Sequence, residues 1–393
     1  MSEGKFMPRD LFEVLAAATV IFAFGIWEHM PNIVPSHYSD ITSIFWREGV
    51  GRGSHLIPYY QFTFEYPVIV GILVYVCSSV RAFIPDFSLA MAYYTLFMSL
   101  SLYFFAVGTI IALYKVLELV KGDKSRIWKC FLIMPSFIMF TVYNWDIIAV
   151  FFMVLSLYFF LKGRAWKAYV ALGLGVASKV YPIMLLPVYV LEAAKWKERL
   201  SSPLITFGVF LLLNSPFMAL NFDGWFQTWT YHASWGIEDS WLIFIFDQMD
   251  PKAHYVAFAV LIYLVYKGLL ESSKKVYGSK AERVIERSFL MCIAWLFGNY
   301  VVTPQMALML LPFYVLIPSL PLALIYASDI LNALIIVLWF TPELNFGNPL
   351  IASSPVQWAA AARQAIWLSF FLSLLFQKQV RTFFRTLFKR VEE

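Results

Sequence analysis

Phe87–Tyr114, FSLAMAYYTLFMSLSLYFFAVGTIIALY, runs without one charged side chain. About twenty apolar residues suffice to cross roughly 30 Å of hydrocarbon as an α-helix, and this stretch exceeds that length. Its apolar residues are continuous rather than alternating with polar ones, which excludes a β-barrel strand. Ser288–Ser328 is a second charge-free run, long enough for two crossings. Of the 393 residues, 61% are hydrophobic and 14% charged, well below the roughly 25% charged usage of soluble domains. The chain reads as an all-α polytopic membrane protein.

Working outward, the charged segments set a topology. The net charge of +5 is concentrated in short basic stretches, the pattern of cytoplasmic loops rather than of a nucleic-acid surface. Lys5 and Arg9 place the N-terminus inside and Trp27–Tyr66 outside. Lys115–Lys129, Lys162–Lys167, Lys195–Arg199, Lys267–Arg287 and Lys378–Arg390 then belong inside. This holds only if Pro67–Pro85, interrupted at Ser78–Arg81, is a juxtamembrane or re-entrant helix on the outer side. Crossings follow near 11–27, 88–114, 128–143, 147–161, 166–178, 181–192, 203–219, 254–270, 288–302, 304–317, 319–339 and 358–376. The expectation is a bundle of about 12 helices in one domain, 1–393, with both termini cytoplasmic. Its outer loops are a long first one, 28–87, and a second at 221–253. The 166–192 region reads as two short helices broken at Lys179-Val180-Tyr181-Pro182, because proline disfavours a helical residue before it. No small-residue cleavage site follows Leu11–Trp27, which is read as a retained helix. Cys77, Cys130 and Cys292 are scattered, giving neither a disulfide framework nor a zinc spacing.

The topology gathers polar chemistry on one face. Tyr59–Pro67, YYQFTFEYP, is an aromatic, acid-bearing loop end held between membrane segments, and charge kept there points to a working surface. Asp40 reads either as a general base or as a cap for a helix starting near Ile41. Glu65 and Tyr66 open a short helix at Pro67, where an acid also complements the helix dipole. Asp146, in Asn144-Trp145-Asp146, has the same two readings. Lys179 lies among Gly173, Gly175, Ala177 and Ser178, where a lysine is costly; it either meets a lipid phosphate or snorkels. In Tyr231–Trp241, His232 and Glu238 sit among aromatics that suit either a sugar surface or an interfacial belt. Arg363 reads as an anion contact or a snorkelling residue. His29, His37, His55, Asp40 and Glu65 are the candidates for a metal site, but no pair shows a recognised ligand spacing, so no metal is assigned. No P-loop or dinucleotide motif occurs, and no cofactor is expected.

In order along the chain, these pieces resemble the GT-C superfamily of polyprenyl-phosphate-sugar-dependent glycosyltransferases, and within it the prokaryotic polytopic mannosyltransferases of the phosphatidylinositol mannosyltransferase kind. The family's first-loop aspartate is matched by Asp40. Its Tyr-Pro-Pro is matched by Tyr66-Pro67-Val68, without the second proline. Its Lys-x-x-Pro is matched by Lys179–Pro182, its Tyr-His loop by Tyr231–Ser240 with Trp235 in place of arginine, and its Ser-Pro-Gln by Thr303-Pro304-Gln305. The Gly-Gln-x-Asn pattern is met loosely by Tyr143–Asp146. The resemblance implies an inverting hexosyltransferase, for mannose above all, working on the outer face. Its donor is a polyprenyl- or dolichyl-phosphate sugar and its acceptor a lipid or glycan. Asp40 is the implied base, and Glu65, Tyr66, Asp146, Lys179, His232, Glu238, Gln305 and Arg363 are implied substrate contacts. A secondary transporter or lipid flippase is the other class left open.

Overall fold

The computed structural model describes residues 8–376 except Pro35, Glu48 and 52–55. Lys5, Glu48, Arg52, His55 and Lys378–Arg390 lie outside the described residues. The described chain is helical: α1 Arg9–His29, α2 Asp40–Arg47, α3 Val68–Ser78, α4 Phe87–Val120, α5 Pro135–Phe140, α6 Asp146–Leu161, α7 Ala165–Ser178, α8 Leu186–Glu192, α9 Trp196–Leu220, α10 Phe222–Ala233, α11 Lys252–Ser273, α12 Lys280–Phe297, α13 Leu311–Leu316, α14 Leu322–Trp339 and α15 Pro355–Leu375. Among the described residues no strand forms, only the isolated bridges Pro58–Phe62 and Glu238–Val301.

The founding run becomes α4. Asp86 caps its start by accepting from the Leu89 amide at 2.7 Å. It ends where Lys121 turns left-handed (φ 53°) and Gly122 N–H returns to Leu117 O at 2.9 Å, a pairing that satisfies the last carbonyls.

The all-α membrane class holds, whereas the count of about 12 crossings is not confirmed. Six helices among the described residues, α1, α4, α9, α11, α14 and α15, are long and apolar enough to cross. Other expected spans are shorter apolar helices or are broken, and 288–302 falls largely in α12, whose first half carries Lys280, Glu282, Arg283, Glu286 and Arg287. The 128–143 segment divides into a π-turn at Trp128–Leu132 and the six-residue α5, with Pro135 opening the second piece. The 304–317 segment divides into a 3-10 turn, Pro304–Leu310, and α13. Proline supplies no amide to the turn before it, so each of these runs is interrupted. The expected break at Lys179 is present: Lys179 is extended (φ −160°, ψ 147°) and Tyr181–Leu185 forms a 3-10 turn before α8.

Two compact units are formed, Met1–Trp235 with Gln305–Leu316, and Gly236–Pro304 with Ile317–Glu393. In the first, α6 packs against α4 and α7, α7 against α9, and α1 against α4. Gly173 allows α7 its closest approach to α9, since a Cβ there would stand 2.6 Å from Thr206 O. Phe22, Tyr94, Leu102, Ile147 and Leu172 are buried in this core. In the second unit α14 pairs with α15, α11 with α12, and α12 with α15.

Candidate functional site

The site grows from the loop end Tyr59–Pro67 in the first unit. Tyr59 adopts a left-handed backbone (φ 67°), and its buried hydroxyl donates to Tyr66 O at 2.6 Å. That tyrosine fits only because residue 71 is glycine: a Cβ there would lie 2.1 Å from the hydroxyl. Helix α10 closes over the segment. Asn221 Nδ2 donates to Tyr60 O at 3.1 Å and Thr228 Oγ1 to Phe64 O at 2.8 Å. A Cβ on Gly224 would meet Tyr59 O at 2.1 Å. Gly224→Ala therefore has to part α10 from the loop, and we expect it to lower stability by about 1–3 kcal/mol. Thermal unfolding checks this, and unchanged unfolding would mean the helix shifts freely.

Asp40 opens α2, its amide donating to Tyr143 O at 3.0 Å. The carboxylate is buried, accepting from Tyr38 Oη at 2.9 Å and from Asn144 Nδ2 at 2.5 Å. Burial pushes its pKa above the ordinary 3.8. The Tyr38 and Asn144 donors and the Lys179 charge oppose the rise, and Glu65 reinforces it. A carboxyl raised in this way is a stronger proton acceptor when ionised.

Facing it, Asp146 opens α6 and is fully buried. One carboxylate oxygen, Oδ2, pairs with Lys179 Nζ; the other, Oδ1, has no hydrogen-bond partner. The break after α7 delivers Lys179 to this pair, and Tyr181 from the next turn donates to Asp146 O at 3.1 Å. Lys179 Nζ stands 6.0 Å from the centre of the Tyr66 ring, which packs edge-on against Trp145 with centroids 4.4 Å apart.

The far side is lined by α10. His232 lies 6.1 Å from Tyr66 and 5.3 Å from Trp235, ring centre to ring centre. Burial lowers its pKa; a bond to Thr228 O and the Glu65 charge work against that. Glu65 is buried, and Arg47 at the end of α2 donates to its Oε1 at 2.9 Å. Burial raises the pKa of Tyr66 well above its ordinary value, with Asp40 and Glu65 adding to the rise. The first unit thus holds three buried carboxylates, two cations and an aromatic floor within electrostatic reach of one another. Such a setting can accept a proton, hold an anion and stack a sugar ring.

Of the residues singled out in the sequence, Asp40, Glu65, Tyr66, Asp146, Lys179 and His232 come together here. Gln305 is buried in the 3-10 turn after Pro304. Glu238 and Arg363 belong to the second unit. Glu238 bridges through its backbone, its amide donating to Tyr300 O at 2.9 Å and its carbonyl accepting from Val302 N at 2.9 Å. Arg363 is fully buried; it donates to Asn332 Oδ1 at 2.5 Å, Val302 O at 2.8 Å and Asp239 O at 3.1 Å, and it lies over Trp367. Burial raises Asp239 to about 7, with Arg363 and Gln357 opposing. Sequence reasoning passed over Tyr38, Arg47 and Trp145 as site members and gave Asn144 no role. The adjacency of Tyr38 to Asp40 was the one available signal; the other contacts are tertiary.

Comparison with known proteins places the chain. Residues 64–270, more than half of it, match Glycosyltransferase family 87. The match takes in Glu65, Tyr66, Asp146, Lys179 and His232, while Asp40 precedes it. No curated protein matches. Among solved structures, the chain is similar to the Archaeoglobus fulgidus oligosaccharyltransferase tethered to an acceptor peptide containing the NVT sequon, at 14% identity and a TM-score of 0.46. That likeness covers 95% of this chain and 55% of the other, so the chain spans about half that protein's length. The chain belongs to glycosyltransferase family 87.

Proposed function

We propose that the protein is an inverting hexosyltransferase which moves mannose from a polyprenyl- or dolichyl-phosphate carrier to a lipid or glycan hydroxyl on the outer face of the membrane. Family membership supports glycosyl transfer over transport or lipid flipping. The observation that carries the finer reading is the buried Asp40 carboxylate, held by Tyr38 and Asn144 beside the Asp146–Lys179 pair. In this reading Asp40 takes the acceptor hydroxyl proton as its oxygen attacks the anomeric carbon. The bond from that carbon to the phosphate oxygen breaks, and its electron pair leaves with the polyprenyl phosphate. Lys179, with His232 nearby, stabilises the negative charge that develops on the departing group. Tyr66, backed by the buried Trp145, supplies the surface for the sugar.

The test is transfer from labelled polyprenyl-phosphate mannose to lipid and glycan acceptors by the purified protein, following release of polyprenyl phosphate and the anomeric configuration of the product. Retained configuration overturns the single-displacement mechanism; no release with any sugar on this carrier overturns the donor. The sidedness is checked separately. Cysteines placed at the exposed positions Tyr60 and Met249 should react with an impermeant thiol reagent from outside, and one at Val276 only from inside. The reverse pattern would put the site on the cytoplasmic face.

A further inference from the structure

Two cations serve the site, and they are not in the same state. Lys179 is paired with a fully buried carboxylate, and only 14% of its side chain is exposed. Both cations are paired before any ligand arrives, Lys179 with Asp146 and Arg47 with Glu65, and they differ in how far each is open to solvent. Arg47 is 43% exposed and bonds through one terminal nitrogen to Glu65 and through Nε to Ser43 Oγ at 2.9 Å. The Ser43 bond holds the guanidinium against its own helix. Electrostatically it reaches the Tyr38 hydroxyl, which donates to Asp40, and the Tyr66 ring of the floor.

Position on the helix adds a second argument. Arg47 follows Asp40 by seven residues on one continuous helix, close to two turns, which places both on one face about 10 Å apart along the axis. An in-line displacement needs the proton acceptor and the phosphate-holding cation on opposite sides of the anomeric carbon. With reacting atoms about 3 Å apart and a hydrogen bond of about 3 Å at each end, that separation is on the order of 10 Å.

Resting on the donor reading above, we infer that Arg47 is the ground-state binding residue for the lipid-borne phosphate of the donor, with Glu65 holding its planar fork until the donor arrives. Guanidinium is suited to this because it offers paired donors to phosphate oxygens. Lys179 acts later, on the charge that develops as the bond breaks.

The experiment titrates geranyl phosphate, with geraniol as the neutral control, into the purified full chain and its variants. Arg47→Ala should weaken geranyl phosphate binding by about 10–100-fold, the size of a lost charged hydrogen-bond pair, and leave geraniol binding alone. Arg47→Lys should fall between, since charge survives and the fork does not. Glu65→Gln decides between binding and scaffolding. If Arg47 contacts phosphate, releasing it from Glu65 leaves affinity equal or higher. If it serves only to anchor Glu65, Glu65→Gln reproduces the Arg47→Ala loss and the inference falls. It falls too if Arg47→Ala binds like wild type while Lys179→Ala does not. If Arg47→Ala does not fold, Arg47→Lys and Glu65→Gln carry the test by themselves. Wild-type protein that transfers no sugar from any polyprenyl phosphate removes the donor reading itself, a result separable from the others.

Discussion

Asp40→Asn is expected to bind the donor as wild type does and to lose about 10²–10⁴-fold in transfer, the contribution of a positioned base. Asparagine keeps the volume, its amide oxygen can accept from Asn144, and its NH2 group can donate to the Tyr38 hydroxyl, which turns from donor to acceptor, so the surroundings stay in place. What disappears is the site for the acceptor's proton. Glu65→Gln removes a charge from the same loop end and should cost less turnover, because Glu65 sits behind Arg47 rather than against the acceptor. The pH dependence follows from burial. Only ionised Asp40 accepts a proton, and its pKa is raised above 3.8, so the acid limb of turnover lies at higher pH than for a free aspartate. Tyr38→Phe removes a donor that favours the charged form; the pKa then rises further and the limb moves to still higher pH. Normal transfer by Asp40→Asn, or an acid limb that Tyr38→Phe leaves in place, would remove Asp40 from the base role.

The second large effect is on stability. Removing one partner of a buried ion pair leaves an uncompensated charge and costs about 3–5 kcal/mol. Lys179→Ala and Asp146→Ala should each lower the unfolding temperature sharply, Lys179→Ala more, since it strands the fully buried Asp146 carboxylate whereas Asp146→Ala strands a partly exposed lysine. Replacing both, Lys179→Met with Asp146→Leu, should recover most of the stability because no charge is stranded. It should not recover transfer. A double variant that is stable and active would make the pair a structural device only.

These residues also show where sequence reading stops. Charge-free runs such as Phe87–Tyr114 announce a membrane helix because composition alone determines that a segment prefers hydrocarbon. The break at Lys179 was legible because Pro182 acts locally. The breaks at Pro135 and in 304–310 were not anticipated: a proline reads differently at the first turn of a new helix and inside an old one, and only packing decides. The pairing of Lys179 with Asp146, and of Arg47 with Glu65, joins positions separated by other elements. No periodicity encodes such contacts; the spare charge in each segment is visible, its partner is not.

Helix α4 carries one more consequence. Its 28-residue charge-free stretch is about 42 Å long at 1.5 Å per residue, against roughly 30 Å of hydrocarbon. The surplus is taken up by slant, by local thickening of the lipid or by standing proud of the surface. Near its far end Tyr114 donates to Asp10 of α1 at 3.0 Å, so the two helices change inclination together. Turnover measured in liposomes of short-, medium- and long-chain lipids should then vary little toward the thick end and decline in the thinnest. In that regime the mismatch between protein and bilayer, rather than any side chain at the site, sets the rate.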